Sequence, residues 1–236
     1  MRMNNKNLIP SFVIALGITL LGVFIKSGID NYTNKDRKVT VKGLAEKEVN
    51  ADKVTWPLAT KINGNSLPEL YKQIEETQNK VKGFLTRNGV KDNEIRVSAP
   101  QIYDLESNVY NENRKAYRYS VTSVVTVTSK NVNLIKELIN RQAELYKEGI
   151  AITNSEYQYQ TKWEYTAFRD MKPKMMQEAI GNAEKTAQQF AENSHSDINK
   201  IITADQGQFS IDDLDENTPW IKKIRVVTTV TYSLKN

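Results

Sequence analysis

The single histidine, His195, stands in the run ENSHSD with Ser194 before it and Asp197 after it. Those are the residue types of a base, a nucleophile and an orienting acid. A working triad needs members that converge in space with separate roles, which three residues of one short turn do not supply. As a general base His195 also needs an activated nucleophile, and the sequence displays none. It is therefore expected to be a solvated turn residue behind a helix, with Ser194 and Asp197 as local caps.

The densest acidic cluster is Asp212, Asp213, Asp215, Glu216 and Asn217. Hard oxygens of this kind suit calcium. The spacing lacks the glycine and the distal glutamate of an EF-hand loop, and Pro219 cuts the segment short. A solvated hairpin loop is the expected reading, with repulsion or orientation of a neighbouring subunit as a possible use. A third candidate is aromatic: Tyr157, Tyr159, Trp163 and Tyr165 alternate through the segment from Ser155 to Tyr165. On one strand face they make either a stacking platform for sugar rings or bases, or the buried side of a sheet under the last long helix.

Several chemistries have no motif here. Gly-x-Gly-x-x-Gly, the Gly-Lys-Ser/Thr phosphate loop, His-Glu-x-x-His and Gly-x-Ser-x-Gly do not occur. Cysteine is absent, which removes disulfides, a thiolate nucleophile and cysteine-liganded zinc. Scattered carboxylates leave a glycosidase acid and base pair open, with no pair to nominate. No catalytic, metal-binding or cofactor-binding residue is assigned, and no cofactor is expected.

The elements that must position these residues follow from periodicity. Strands are expected at Arg37 to Val49 and Asp52 to Ile62, where Pro57 argues for an edge position or a bulge. A helix follows, opened by Ser66 and Glu69 in a capping-box arrangement and closed at Asn88-Gly89. Strands are expected at Glu94 to Tyr103 and Lys115 to Thr128, separated by the turn ESNVYNENR. The second alternates Tyr117, Tyr119, Val121, Val125 and Val127 against Arg118, Ser120, Thr122 and Thr126, predicting one buried and one hydrated face. A short helix from Asn131 to Tyr146, closed by Gly149, the tyrosine-bearing strand and a helix from Phe168 to Glu192 come next. On that last helix Met175, Ala179, Ala183, Ala187, Phe190 and Ala191 share a side suited to close approach, and Pro173 is placed in its first turn. Strands at Ile198 to Phe209 and Lys222 to Ser233 close the chain. Residues 52–128 and 155–233 each read strand, helix, strand, loop, strand, so the predicted class is α+β, with two βαββ-like units on largely antiparallel sheet joined by a helix.

Ahead of this lies the most apolar stretch of the chain, Leu8 to Ile25, without a charge. At 1.5 Å per residue it reaches roughly 27 Å, close to the hydrocarbon thickness of about 30 Å. Residues 1–26 read as a signal peptide or an uncleaved signal anchor, and 27–36 as a linker. Lys26 interrupts the Ile25 and Ser27 pair, which favours retention. Lysine and arginine counts do not decide orientation, since Lys26, Lys35, Arg37 and Lys38 outnumber Arg2 and Lys6. Removing the first 26 residues takes away three basic side chains (Arg2, Lys6, Lys26) and no acidic one, so the formal charge falls from +5 to +2. That near balance speaks against a nucleic-acid partner. The sequon Asn31-Tyr32-Thr33 follows the apolar stretch.

The opening VTVKGLAEKEVNADKVTWPLATKINGNSLPEL carries a Val-x-Val-x-Gly-x-Ala pattern at Val39, Val41, Gly43 and Ala45. Asn88, Gly89, Val90 and Glu94 in LTRNGVKDNEIRVSAPQIY, then YSVTSVVTVTSKNVNLIKEL and AEKTAQQFAE, continue the pattern. With these features residues 37–236 resemble the SIMPL-domain family of bacterial envelope proteins. The resemblance implies an extracytoplasmic α+β protein, oligomeric in at least some relatives, with no catalytic residues to transfer. Many such relatives carry a cleavable signal. The expectation is a non-enzymatic, membrane-tethered assembly or interaction domain, with a homo-oligomer or an envelope protein as partner and the membrane engaged through residues 8–25. The alternative is an extracytoplasmic small-molecule or glycan binding module lined by the tyrosine strand.

Overall fold

The computed structural model describes residues 8–33, 37–107, 116–153 and 156–235. Arg2, Lys6, residues 34–36, most of the turn ESNVYNENR and the start of the tyrosine segment at Ser155 lie outside the described residues. In chain order the elements are α1 (Leu8–Thr33), β1 (Lys38–Asn50), β2 (Lys53–Gly64), α2 (Leu67–Arg87), β3 (Ile95–Val97), β4 (Gln101–Asp104) and β5 (Tyr119–Ser129). They continue with α3 (Val132–Asn140), α4 (Ala143–Lys147), β6 (Ile152–Thr153), β7 (Lys162–Glu164), α5 (Phe168–Asn193), β8 (Asp197–Gln206), β9 (Ser210–Asp213) and β10 (Ile221–Lys235). Helices and antiparallel strands mix as expected, and the chain is an α+β protein.

The helix α1 does not stop at Lys26 but runs on through Ser27 to Thr33. No proline interrupts that polar stretch, so the ladder of backbone bonds continues, and the sequon Asn31-Tyr32-Thr33 falls on the last turn. Inside the apolar part, the Thr19 hydroxyl donates to the Ala15 carbonyl at 2.8 Å, which satisfies this polar group within the helix. The window Phe12–Ile29 has a mean hydropathy of 2.1, and none of it is buried.

The chain divides into two compact units, one of Met1–Lys47, Met171–Ile211 and Ile224–Asn236, the other of Glu48–Asp170 and Asp212–Lys223. In the first, sheet order is β1-β10-β8. Along α5, Met175, Ala179, Ala183, Ala187 and Ala191 are buried, a four-residue repeat of mostly small side chains along one face. The backbone comes close enough there that a methyl group on Gly43 would stand 1.9 Å from the Ala179 carbonyl oxygen and 2.8 Å from Ala183 Cβ. Small side chains and a bare glycine are what this contact requires. Pro173 lies in the second turn of α5 rather than the first, because the helix begins at Phe168; it withholds one backbone donor from the ladder.

In the second unit β5 pairs β2 from Val54↔Ser129 to Gly64↔Tyr119. The short β3 and β4 flank β5, and β6 and β7 flank β2. Glu94 to Tyr103 is thus two strands broken at Ser98 to Pro100, rather than one. Buried Trp56, Leu58, Phe84, Leu85, Val127 and Leu138 form the core between sheet and helices, each contributing about 1.5–3 kcal/mol by leaving water. The face of β5 expected to be hydrated is covered in its middle, where Ser120 and Thr122 are buried, while Thr126 is half-buried and Arg118 exposed; on the opposite, apolar face Gln78 Nε2 of α2 donates to the Ser123 hydroxyl at 2.7 Å. The stretch from Asn131 to Tyr146 forms two helices, α3 and α4, with Arg141 Nε donating to Glu144 Oε1 at 2.8 Å across the break. Ser66 precedes α2 without a side-chain cap bond. The reciprocal glutamate bond appears elsewhere, with the Lys91 N–H donating to Glu94 Oε2 at 3.1 Å.

Candidate functional site

The turn holding His195 is a helix end. The Ser196 N–H donates to the Ala191 carbonyl at 2.9 Å and the His195 N–H to the Glu192 carbonyl at 3.1 Å, the paired bonds of a Schellman motif. His195 occupies its left-handed position, with φ of 52°. The same bonds close α2, from Val90 to Leu85 and Gly89 to Thr86, and α4, from Ile150 to Leu145 and Gly149 to Tyr146. In those two turns the left-handed residue is glycine, with φ of 92° and 79°. The Ser194 hydroxyl donates to the Ala191 carbonyl at 3.0 Å and Asp197 begins β8. Ser194 and His195 therefore close a helix end, whereas Asp197, expected as a second local cap, is the first residue of a paired strand; the three do not converge as a triad.

The acidic loop is ordered by its own carboxylates. Asp215 Oδ1 accepts from the Asn217 and Thr218 N–H groups, each at 2.7 Å. The Thr218 hydroxyl bond is the main cause holding the Asp215 carboxyl below its usual range, with those backbone bonds adding to it. Asp213 pairs with Lys222. Among the described residues no group of three or more His, Cys, Asp or Glu side chains comes together to hold a metal. The loop's structural product is the placement of Trp220, whose carbonyl accepts from the Ala51 N–H at 2.8 Å.

The tyrosine platform is not assembled. A 3-10 turn at Tyr157–Tyr159 replaces the expected strand, leaving only Lys162–Glu164 paired to β2. That turn breaks the two-residue alternation. Tyr157 is 82% exposed while Tyr159 and Trp163 are buried, and burial pushes the Tyr159 phenol up from its ordinary value. Pro57 contributes to the break: β2 pairs β7 through Thr55 and β6 from Ala59, and Pro57, with no N–H to offer, falls in the interval.

Instead, Trp163 meets Trp220 edge to face, with ring centroids 6.0 Å apart at 72°. Lys136 Nζ sits 3.7 Å above the Trp220 ring, within cation–π range. Beside them opens a recess of about 300 Å³ lined by Asn50, Lys130, Asn131, Asn133, Lys136 and Trp220. Sequence reasoning missed this cluster because Trp220 belongs to no periodic face; its only local signal was an aromatic residue ending an acidic loop. Also missed was an apolar groove of about 350 Å³ along Leu67, Tyr71, Ile74, Pro100 and Ile102, where Tyr71 is 65% and Ile102 56% exposed.

One carboxylate was passed over in the sequence. Asp52 Oδ1 accepts from the Thr166 N–H at 2.7 Å and its hydroxyl at 2.9 Å, and Oδ2 from the Ala167 N–H at 2.9 Å. Burial pushes this carboxyl up, but the bonds from Thr166 and Ala167 outweigh it and hold it below its usual range. Both its oxygens are thus engaged by Thr166 and Ala167, just ahead of α5. Asp52 is a structural clamp.

No curated protein matches the chain. A family model does: SIMPL, described as a protein of unknown function (DUF541), matches residues 39–231. That span holds Val39, Val41, Gly43 and Ala45 of the opening strand, the Asn88-Gly89 helix end and the alanine face of α5, the features on which the resemblance rested. By this match over most of its length, the chain belongs to the SIMPL family.

Proposed function

We propose that this protein is a membrane-tethered, non-enzymatic envelope protein whose folded part works by contact with copies of itself or with another envelope component. The observation that carries the reading is the uncovered helix α1. Phe12, Ile14, Ile18, Leu21, Phe24 and Ile25 are each more than half exposed, and burying such side chains is worth about 1.5–3 kcal/mol apiece. A helix that places none of this window in the protein's own core gains that energy in a bilayer. Tethering then raises the local concentration of the domain, so weak contacts become effective without new bonds. The apolar groove along Tyr71 and Ile102 supplies a surface for such contacts. Fractionation of the native polypeptide with sequencing of its amino terminus tests the tether: the intact chain pellets with membranes and resists carbonate extraction. An intact chain dissolved in the cytosol overturns it. Crosslinking in the membrane tests the contacts, which predict a ladder of copies or a defined partner; a strict monomer without partner overturns that half.

A second reading, a small-molecule or glycan binding module, is favoured by one observation, the Trp220 recess with its lysines and asparagines. Its expected result is a ligand-induced rise in melting temperature that Trp220→Ala abolishes while the fold persists. No stabilisation by any member of a glycan and acidic-sugar panel counts against it.

A further inference from the structure

In the first unit, the sheet end where the chain enters from α1 gathers basic and aromatic surface. The Arg37 carbonyl accepts from the Leu234 N–H at 2.9 Å, and β10 sets Leu234 opposite Ile198 and Lys235 opposite Asp197. The start of β1, the end of β10 and the start of β8 thus form one rim. The Lys200 N–H donates to the Ser233 hydroxyl at 3.2 Å, which places Lys200 just behind it. Arg37 Nη2 donates to the Ser196 hydroxyl at 2.8 Å, tying the rim to the turn after α5. Lys38, Lys200 and Lys235 are exposed. Phe190, one turn from the end of α5, is 59% exposed. Among the described residues the acidic side chains of the same rim are Glu192 and Asp197, against the basic Arg37, Lys38, Lys200 and Lys235.

Covalent reach places this rim near lipid. Only residues 34–36 separate the end of α1 from Arg37, and four Cα steps span at most about 14 Å. The apolar window ends at Ile29, four residues before the helix does, about 6 Å along its axis. With that window filling the hydrocarbon, Arg37 is held within about 20 Å of its boundary, and the headgroup layer occupies about 5–8 Å of that distance. The remaining gap is at most about 12–15 Å, so the tether allows the rim to come within the screening length of about 8–10 Å. Basic side chains around an exposed aromatic ring are the chemistry that suits an anionic bilayer interface.

We propose that this rim docks on the anionic lipid headgroups of the membrane that holds α1, with Phe190 entering the interfacial layer and Arg37, Lys38, Lys200 and Lys235 meeting lipid phosphates. The inference rests on the tethered reading above. Docking fixes which end of the first unit faces lipid, and the opposite sheet end is presented away from it.

The absence of cysteine lets each single-cysteine variant carry one fluorophore. The full chain is reconstituted in nanodiscs of phosphatidylcholine alone, or mixed with phosphatidylglycerol, containing a headgroup-attached quencher. A label at Asn193→Cys is quenched in the mixed discs. A label at Gln206→Cys, at the far end of β8 and about 30 Å from the rim by strand rise, is not. Replacing Lys38, Lys200 and Lys235 by glutamine weakens docking by about fivefold per charge removed, and Phe190→Ser weakens it in both lipids. Equal quenching at the two positions, or indifference to phosphatidylglycerol and to the triple substitution, overturns the proposal. A chain that does not co-purify with the discs overturns the tether and the docking together; a chain held in the disc with Asn193→Cys unquenched overturns docking alone.

Discussion

Replacing His195 with glycine is expected to stabilise the first unit. His195 holds φ of 52° in a turn whose bonds, at 2.9 and 3.1 Å, are of ordinary length, so the turn is fully formed and the cost lies in the backbone of one residue. A left-handed conformation costs an L-residue about 1–2 kcal/mol, with histidine among the more tolerant side chains. Glycine removes that cost but widens the unfolded ensemble, returning about 0.5–1 kcal/mol. The net gain is about 0.5–1 kcal/mol, which for a chain of this size raises Tm by about 1–4 °C. Thermal melts of the full chain in nanodiscs, followed by circular dichroism, read it directly. His195→Ala keeps the penalty and should melt at or below the parent, while Gly89→Ala and Gly149→Ala, with φ of 92° and 79°, should each lose about 1–2 kcal/mol. A His195→Gly melt no higher than that of His195→Ala refutes the reasoning, because backbone strain then plays no part at this helix end.

Gly43→Ala is expected to cost at least about 3 kcal/mol, lowering Tm by roughly 6–12 °C, because its methyl would meet the Ala179 carbonyl at 1.9 Å; a shift below one degree in the same melt contradicts the close packing. Asp52→Asn should cost about 1–2 kcal/mol at neutral pH. The Asp52 carboxyl is held below its ordinary value of about 3.9, so its contribution is complete above that value and disappears as pH falls through the lower folded value. The gap between parent and variant in urea midpoints should therefore close in acid, and a gap that widens there excludes the clamp. Trp163→Ala empties a buried site and should destabilise by about 3–5 kcal/mol. Trp220→Ala, at a partly exposed site, should cost less, and equal losses would place Trp220 in the core rather than at the recess wall.

The parts legible in sequence are those whose stability is local or needs only an apolar partner. α1 was visible as an uninterrupted, uncharged apolar run of spanning length. α2 and α5 were visible through their periodic faces, and Gly89 and Gly149 marked helix ends because glycine alone takes a left-handed turn without cost. Asp215 and Thr218 formed a local turn as loop chemistry predicts. What failed was decided by distant partners. The tyrosine segment has strand-like alternation, yet its pairing stops opposite Pro57, a residue about a hundred positions earlier, so a 3-10 turn takes over. Ser120 and Thr122 look solvent-facing by alternation and are buried nonetheless. Trp220 lies in no periodic pattern and meets Trp163 and Lys136 only once the acidic loop folds back. Alternation and helical spacing report which face of one segment avoids water; they carry no information about which other segment arrives to cover it, and that choice is made by sheet pairing and close packing across the chain.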